Sequence, residues 1–206
     1  RQRQALWLIF SAPRSEERET AFAEFKRAAG PDLDAFATWC LCFEVWGAPW
    51  EENSWFFRTD KNSPAVAALV RDHHDMFEFQ RWLQWIADEQ VAAAQQAAKD
   101  AGMALGLMQD MAVGVHALGA DVWWSPERFA DGVTVGAPPD FYNQLGQDWG
   151  SRRSARSTWN PPVTASTVRW CTTCSRTPAP CASTMCSACS ACGGSRAAAP
   201  RATVPM

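Results

Sequence analysis

The C-terminal part of the chain lacks the residues that build a folded core. Residues 151–206 contain no Leu, Ile, Phe, Asp, Glu or Lys, and are rich in Ser, Thr, Ala, Arg, Pro and Cys instead. Such a segment has too little apolar surface to offset the conformational entropy that is lost on folding. We therefore place a boundary after Gly150, with a folded domain over residues 1–150 and an unstructured tail over residues 151–206.

Strong charge of one sign and long apolar runs are also missing. The chain has 206 residues, 19 Lys and Arg against 22 Asp and Glu, and a net charge of −3. This balance argues against nucleic acid as a partner, because polyanion-binding surfaces are strongly basic. No run approaches the roughly 18 apolar residues of a membrane span, so we expect no membrane partner. No signal-peptide pattern opens the chain. Its first residue is Arg1 rather than Met, which favours a piece of a longer protein.

The first part of the chain has helical periodicity. Its apolar spacing predicts helices over residues 14–29, 33–46 and 63–100. Ser63 and Pro64 are typical of an N-cap and a first helical position. The polar sequence His73-His74-Asp75 marks a point at which the last stretch can divide into two helices.

A change of period follows the last helix. Gly102 is typical of the residue that ends a helix in a left-handed conformation. The continuously apolar residues 103–108 then predict a buried parallel strand, so helix and strand together form an α/β unit. Functional loops leave the carboxyl ends of such strands, and we expect the functional residues within the irregular residues 110–150.

The residue types in this loop suit a sugar ligand. Pro138 and Pro139 stiffen the chain, and Asp140, Gln147 and Trp149 project planar polar and aromatic groups close by in sequence. A sugar ring offers apolar C–H patches to an indole face and hydroxyls to amides and carboxylates. A stiff surface loop with a buried Trp fits the composition as well. Of the adjacent pair Trp123-Trp124, one ring can pack beneath the loop while the other faces a cleft.

Several stretches resemble the 4-α-glucanotransferase (amylomaltase) family of bacteria. They are FQRWLQWIADEQ (79–90), AAKDAGMALGL (97–107), DMAVGV (110–115), VGAPPD (135–140) and GQDWG (146–150). The order and spacing of VGAPPD and GQDWG are the most specific part of this resemblance. The chain departs from the family at Met108-Gln109, where Tyr-Arg is usual, and near Asn143-Gln144, where Asn-Pro is usual.

The resemblance implies the α/β fold of an incomplete (β/α)8 (TIM) barrel that transfers α-1,4-glucan segments between maltodextrins. It implies retaining chemistry with two carboxylates, no cofactor, no metal and a cytoplasmic location. By position in the family motifs, Asp140, Gln147 and Trp149 are the expected substrate-binding residues.

The family's nucleophile lies in a downstream stretch, ALRIDHVxGLxRLWWIPRG, which this chain lacks. Residues 181–196 can be back-translated into codons and read in the frame that joins the third base of each codon to the first two bases of the next. In this frame, a permitted choice of silent bases encodes RIDHVLGLFRLWWIP. Met185-Cys186 gives Val in this frame without any choice of silent base. We therefore expect that the reading frame slips by one nucleotide between Gly150 and about Trp159. The chain as written then has no catalytic residue and is inactive.

Two alternative functions follow if the tail is the true sequence of the protein. Cys171 and Cys174, followed by Cys186, Cys189 and Cys192, have the spacing of zinc ligands. No apolar or strand pattern surrounds them, and the frame slip accounts for each Cys. The chain is then either a zinc-binding protein or a non-catalytic glucan-binding protein.

Other chemically suggestive residues have simpler structural interpretations. Cys40 and Cys42 fit small buried apolar groups, and Trp82 and Trp85 fit helix packing. The sequence His73-His74-Asp75 fits a solvated helix junction better than a ligand set, because adjacent helical residues point to different faces.

The frame slip is tested by sequencing the coding DNA. We expect a one-nucleotide insertion or deletion between the codons of Gly150 and Trp159, beyond which the alternative frame encodes RIDHV. A continuous frame that still encodes the Cys-rich tail contradicts the hypothesis.

Overall fold

A computed structural model describes residues 1–108 and 114–154 of the chain. Asp110 and most of the predicted tail, residues 155–206, lie outside the described residues. The helical layer consists of α1 (Gln2–Ser11), α2 (Glu16–Ala29), α3 (Pro31–Trp46), α4 (Pro64–Asp72), α5 (His74–Asp100) and α6 (Ala120–Trp124). Short 3₁₀ turns occupy Trp55–Phe57 and Pro126–Arg128. The sheet contains β1 (Val115–His116), β2 (Phe129–Ala137) and β3 (Gln147–Ser154).

The three predicted helical stretches are confirmed. The hydroxyls of Ser15 and Ser63 accept hydrogen bonds from backbone N–H groups of the first turns of α2 and α4, which satisfies donors that lack helical partners. The predicted division occurs at His73, whose φ of −120° and ψ of 40° separate α4 from α5. Gly102 has a φ of 90°, as expected after a helix end. Helix α1 was not predicted.

The helices pack around two aromatic clusters. The first contains the buried Phe22, Phe79, Trp82 and Trp85, and joins α1 and α2 to α5. Its rings are close: Phe22 stacks on Trp85 at 5.2 Å between centroids. The interpretation of Trp82 and Trp85 as packing residues is therefore confirmed.

The second cluster joins α3, α4 and α6 around the 3₁₀ turn. Its centre is Trp55, which is 6% exposed, and whose indole nitrogen donates to the Gly47 carbonyl at 2.9 Å. Trp123 meets Trp55 edge to face at 5.3 Å. Cys42 is fully buried in the same cluster, and burial raises the pKa of its thiol to about 12, as expected for an inert apolar filler.

Ion pairs tie the helices together beside these clusters. Glu78 of α5 accepts from Lys26 of α2 at 2.8 Å and from Arg81 at 2.5 Å, and Arg81 also pairs with Asp34 of α3. Burial raises the pKa of the Glu78 carboxyl, but the hydrogen bonds from Lys26 and Arg81 outweigh it and the net shift is downward. The carboxylate thus stays charged and holds three helices in register.

The predicted strand over residues 103–108 is wrong for this chain. The segment has no strand partner, and Gly106 bends it with a φ of 70°. The buried side chain of Gln95 takes the place of a neighbouring strand: its amide nitrogen donates to the Leu105 carbonyl at 3.1 Å, and its oxygen accepts from the Leu107 N–H at 2.5 Å. A strand needs a neighbouring strand to pair its backbone groups, and no described segment pairs with residues 103–108.

The sheet is antiparallel, with the order β1–β3–β2. Residues 110–150, expected to be irregular, therefore contain a helix and a hairpin within their described part. Alternation in Phe129–Ala137 is interrupted by glycines, which explains why periodicity did not predict a strand there. No helix in the described ranges is long and apolar enough to cross a membrane.

The Gln95 contact is tested by comparing two neighbouring glutamines. Gln95→Leu leaves two backbone groups unpaired, and we expect it to lower the free energy of unfolding by about 1–3 kcal/mol. It should also speed amide exchange at Leu107. The control Gln96→Leu changes an exposed residue whose amide donates to the exposed Asp100 carboxylate, and should shift stability by less than about 0.5 kcal/mol. Equal effects of the two variants on the free energy of unfolding in urea contradict a stabilising role of the Gln95 contact.

Candidate functional site

The candidate site lies on the hairpin formed by β2 and β3 and their connection, residues 138–146. Close backbone approach fixes the base of this connection, since a Cβ at Gly136 would lie 2.0 Å from the Gln147 carbonyl oxygen. Any other residue at position 136 therefore forces the strands apart. Pro138 and Pro139 follow Ala137, so the start of the connection is both tightly packed and stiff.

Asp140 organises the turn in the connection. Its Oδ1 accepts hydrogen bonds from the backbone N–H groups of Tyr142 at 2.8 Å and Asn143 at 2.6 Å. Its own N–H donates to the Asn143 carbonyl at 3.0 Å, and the Gly146 N–H reaches the same carbonyl at 3.1 Å. The carboxylate thus stabilises the turn, because Asp side chains in turns accept hydrogen bonds from the backbone N–H two residues further along the chain.

Gln147 and Trp149 lie together on β3. The Trp149 indole nitrogen donates to the Gln147 Oε1 at 3.0 Å, and half of Trp149 is exposed. This bond uses the acceptor of the amide, so the Gln147 amide N–H groups remain available to a ligand hydroxyl. We call this pair the Trp149–Gln147 platform.

A β-bulge sets the direction of Trp149. The pairing runs from Val135↔Ser151 to Gly136↔Asp148, so Trp149 and Gly150 are extra residues on β3. Gly150 has a φ of 63°, a conformation that favours glycine. Bulges of this kind re-aim side chains. The sequence GQDWG therefore encodes the exposed position of Trp149.

The structure thus brings together two of the three predicted substrate-binding residues. Gln147 and Trp149 are in contact, while Asp140 accepts hydrogen bonds from the turn residues Tyr142 and Asn143. Whether the three bind substrate stays a prediction.

Sequence reasoning missed the tip of the connection. Phe141, Tyr142 and Leu145 are 88%, 94% and 96% exposed, and the two aromatic rings meet edge to face at 5.4 Å. Exposed aromatic groups of this size mark binding surfaces more often than isolated apolar residues do. The signal was present in the sequence, as two aromatic residues directly after a turn-forming Asp.

Asp148 connects the bulge to the opposite strand. The Gly150 N–H donates to Asp148 Oδ1 at 2.8 Å. This bond, and then that of the Thr134 side chain, lower the pKa of the fully exposed Asp148 carboxyl below its ordinary 3.8. The charged form of Asp148 therefore holds the bulge closed.

Helix α6 anchors the loop region to the helical layer. The Trp123 indole nitrogen donates to the Thr59 carbonyl at 3.1 Å, and Lys61 donates to the Trp124 carbonyl at 2.6 Å. Trp123 is the buried ring of the pair and packs in the cluster around Trp55; that one of the two rings faces a cleft stays a prediction. Trp124 is half-buried, and the Lys61 ammonium lies 5.1 Å from its ring centroid.

The side chains of this hairpin are suited to binding a ligand. An exposed indole beside an amide can hold an apolar sugar face and its hydroxyls. Within residues 1–108 and 114–154, no group of three or more His, Cys, Asp or Glu side chains could hold a metal ion. The cysteines of the zinc alternative lie outside the described residues.

Comparison with known proteins gives the family. Residues 1–160 match the family model described as 4-alpha-glucanotransferase, and the chain belongs to this family. A curated 4-alpha-glucanotransferase from Mycobacterium tuberculosis (strain ATCC 25618 / H37Rv) is 48% identical over 159 residues, which are 77% of this chain and 21% of that protein. One from Haemophilus influenzae is 42% identical over 82 residues, 40% of this chain and 12% of that protein. The chain thus spans about a fifth of the Mycobacterium relative that it matches.

Solved structures agree with the family. An amylomaltase from Corynebacterium glutamicum aligns with a TM-score of 0.57 and 42% identity, over 74% of this chain and 20% of that one. An amylomaltase from Streptococcus agalactiae in complex with acarbose aligns with a TM-score of 0.59 and 19% identity, over 79% of this chain and 33% of that one. At that identity the second likeness shows the fold alone. The described residues form a mixed helix-and-sheet part of an amylomaltase fold.

The role of Asp148 is tested by pH. Because its pKa is lowered by folding, its contribution to hairpin stability is full above the ordinary value of 3.8 and is lost as the pH falls through the lower folded value. We expect the Gly150 amide signal in NMR to shift and exchange faster in that acid range. Asp148→Asn should remove this titration, and a titration that persists in the variant assigns it to another group.

Proposed function

We propose that the intact protein transfers α-1,4-glucan segments between maltodextrins, and that this chain is an incomplete part of its (β/α)8 barrel. The family membership of residues 1–160 supports the activity. The amylomaltase likeness at 42% identity supports the fold. The proposal includes α-1,4-glucan as the partner and, on the resemblance to the family, a cytoplasmic location.

The observation that carries the proposal is the Trp149–Gln147 platform. Its indole is half exposed, it is held by a hydrogen bond to Gln147, and it lies within the bulge of β3. A glucosyl ring can lie on the indole face while its hydroxyls accept from the Gln147 amide. Such pre-organisation lowers the cost of ordering side chains when a flexible oligosaccharide binds.

Asp140 contributes to this site through the turn. Its carboxylate holds the backbone of Tyr142 and Asn143, and so fixes the direction of the exposed aromatic tip. We therefore assign Asp140 as a positioning residue for glucan, while Gln147 and Trp149 contact it.

The reaction that we propose for the intact protein follows the retaining pattern. A carboxylate attacks the anomeric carbon as a carboxylic acid protonates the leaving glycosidic oxygen, and a glycosyl-enzyme ester forms. A hydroxyl of a second glucan then attacks the anomeric carbon of this intermediate and gives its proton to the acid/base residue, while the bond from the anomeric carbon to the carboxylate oxygen breaks and releases the nucleophile. The hairpin would hold the glucan and limit access of water, which competes with the acceptor hydroxyl.

We further propose that the chain as written is catalytically inactive and keeps only the glucan-binding part of this function. Its nucleophile is then encoded in the alternative frame across Ser183-Thr184, where the codons permit Asp. The family match ends at residue 160, next to the interval from Gly150 to Trp159 in which we place the frame slip. This agreement supports an out-of-frame tail.

Activity is tested with two proteins. The chain as written should show no disproportionation of maltotriose, whereas the product of the frame-restored gene should form glucose and maltopentaose from two maltotriose molecules. Glucan transfer by the chain as written contradicts the inactive-chain proposal. Inactivity of a folded, frame-restored product contradicts the proposed activity.

Binding is tested on the chain itself with maltoheptaose. Trp149→Ala should weaken binding at the hairpin by about tenfold or more, since loss of a stacked aromatic group costs about 1–3 kcal/mol by analogy with bases stacked on aromatic side chains. Trp50→Ala, which removes an indole that is 62% exposed outside the hairpin, is the matched control.

Two further variants separate positioning from contact at Asp140. Asp140→Asn keeps the Oδ1 acceptor and should bind nearly as wild type, whereas Asp140→Ala should lose the turn and much of the affinity. Equal losses in both variants indicate that the charge of Asp140 contacts the glucan directly.

A further inference from the structure

Trp149 lies on a part of β3 that the pairing with β2 does not hold. Two consecutive residues of β2 pair with Asp148 and Ser151, so Trp149 and Gly150 between them have no partner on β2. A residue in a bulge is left outside the ladder of backbone hydrogen bonds that fixes an ordinary strand residue. Bonds other than those of the β2–β3 ladder must therefore hold the Trp149 backbone in place.

The Asp148 carboxylate supplies one of these bonds. Its Oδ1 accepts a hydrogen bond from the Gly150 N–H at 2.8 Å, which closes a short turn around the Trp149 backbone. This is the contact that Asp side chains make with the backbone two residues further along the chain. Gly150 has a φ of 63°, so the bond also holds the chain in the conformation that the bulge requires. By comparison, the Ser151 hydroxyl donates to the Trp149 carbonyl at 3.4 Å, which is long for a hydrogen bond of a hydroxyl.

Thr134 joins the same carboxylate to the opposite strand. Its side chain is hydrogen-bonded to Asp148, and this bond lowers the pKa of the carboxyl in addition to the larger effect of the Gly150 N–H. Thr134 lies on β2, two residues before the tight crossing at Gly136. The carboxylate thus ties the bulge of β3 to a strand whose distance is set by close backbone contact.

The exposure of Asp148 does not make it a simple surface charge. An exposed carboxylate that serves only solubility needs no partner, whereas that of Asp148 is bonded to residues of both strands of the hairpin. Asp131 is the other kind of exposed carboxylate on this hairpin. It lies 3.7 Å from the Arg152 guanidinium, and an ion pair of such length in solvent contributes little to stability.

We propose that Asp148 is a positioning residue for glucan, which acts through Gly150 and Thr134 to hold Trp149 where its indole bonds to Gln147 and can stack on a glucosyl ring. This role rests on the proposed function, because it requires that the Trp149–Gln147 platform binds glucan. Without the bonds of Asp148 the indole is ordered only when the glucan binds, and the affinity falls by the cost of that ordering. Asp148 itself contacts no substrate atom in this role.

The role of Asp148 is tested by titrating the chain and its variants with maltoheptaose. Asp148→Ala removes both bonds and should weaken binding about three- to tenfold. Asp148→Asn keeps an acceptor for the Gly150 N–H and a donor for the Thr134 hydroxyl, and should bind nearly as wild type. Asp131→Ala removes an exposed carboxylate of the same hairpin and is the matched control, which should leave the affinity unchanged.

NMR separates positioning from a general loss of structure. The Trp149 indole N–H lies 3.0 Å from the Gln147 Oε1 in donor–acceptor distance, so the two side chains should show a nuclear Overhauser effect. This signal should weaken in Asp148→Ala and persist in Asp148→Asn, while the indole signal of the buried Trp123 stays unchanged in all variants. Thr134→Val should cause part of the loss of affinity. Added to Asp148→Ala it should cause no further loss, because both substitutions break the same bond.

The outcomes separate this role from the proposed function. If Asp148→Ala changes neither the affinity nor the Trp149 signal, while Trp149→Ala still weakens binding, the role of Asp148 is overturned and the proposed function stands. Equal losses of affinity in Asp148→Ala and Asp148→Asn with an intact Trp149 signal show that the charge contacts the glucan directly, which also overturns positioning. Binding that Trp149→Ala leaves unchanged contradicts the platform, and both proposals fail with it.

Discussion

The packing of Trp55 is the contact on which the arrangement of the chain depends. Its indole is bonded to the Gly47 carbonyl, and its ring meets Trp39, Trp46 and Trp123. Because Trp123 comes from α6, this contact joins the helical layer to the segment that precedes the hairpin. Burial of large rings stabilises a core more than any single polar contact here can. The exposed platform is thus carried by a rigid aromatic base.

Polar side chains add hydrogen bonds and ion pairs to the contacts of the aromatic clusters. Glu78 joins three helices through Lys26 and Arg81, and Gln95 satisfies a backbone segment that has no strand neighbour. Asp140 does the same for the turn of the hairpin. In each case a side chain pairs backbone or charged groups that would otherwise cost free energy. At Gln147 only the amide oxygen is used in such a bond, to the Trp149 indole, so the amide N–H groups are open to a ligand.

The sequence predicted the parts of the fold that depend on local signals. The N-cap at Ser63 and the division at His73 follow from residues close to each helix end, whereas the N-cap at Ser15 was not predicted. The strand over residues 103–108 was wrong because a parallel strand depends on neighbours remote in the sequence, and Gln95 occupies their place. The contact between Gln147 and Trp149 follows from the two-residue spacing on one strand, whereas the bulge needed the register with β2. The structural role of Asp140 was not foreseen, although Asp is the residue type that such turns prefer.

The hairpin is closed by partners that are near one another in the chain. Its turn, its bulge and its tight crossing at Gly136 all involve residues between Phe129 and Ser154. Loop closure over such short distances takes microseconds, far less time than a ribosome needs to add the next residue. The hairpin that carries the Trp149–Gln147 platform can therefore begin to form during synthesis, ahead of any segment translated after it.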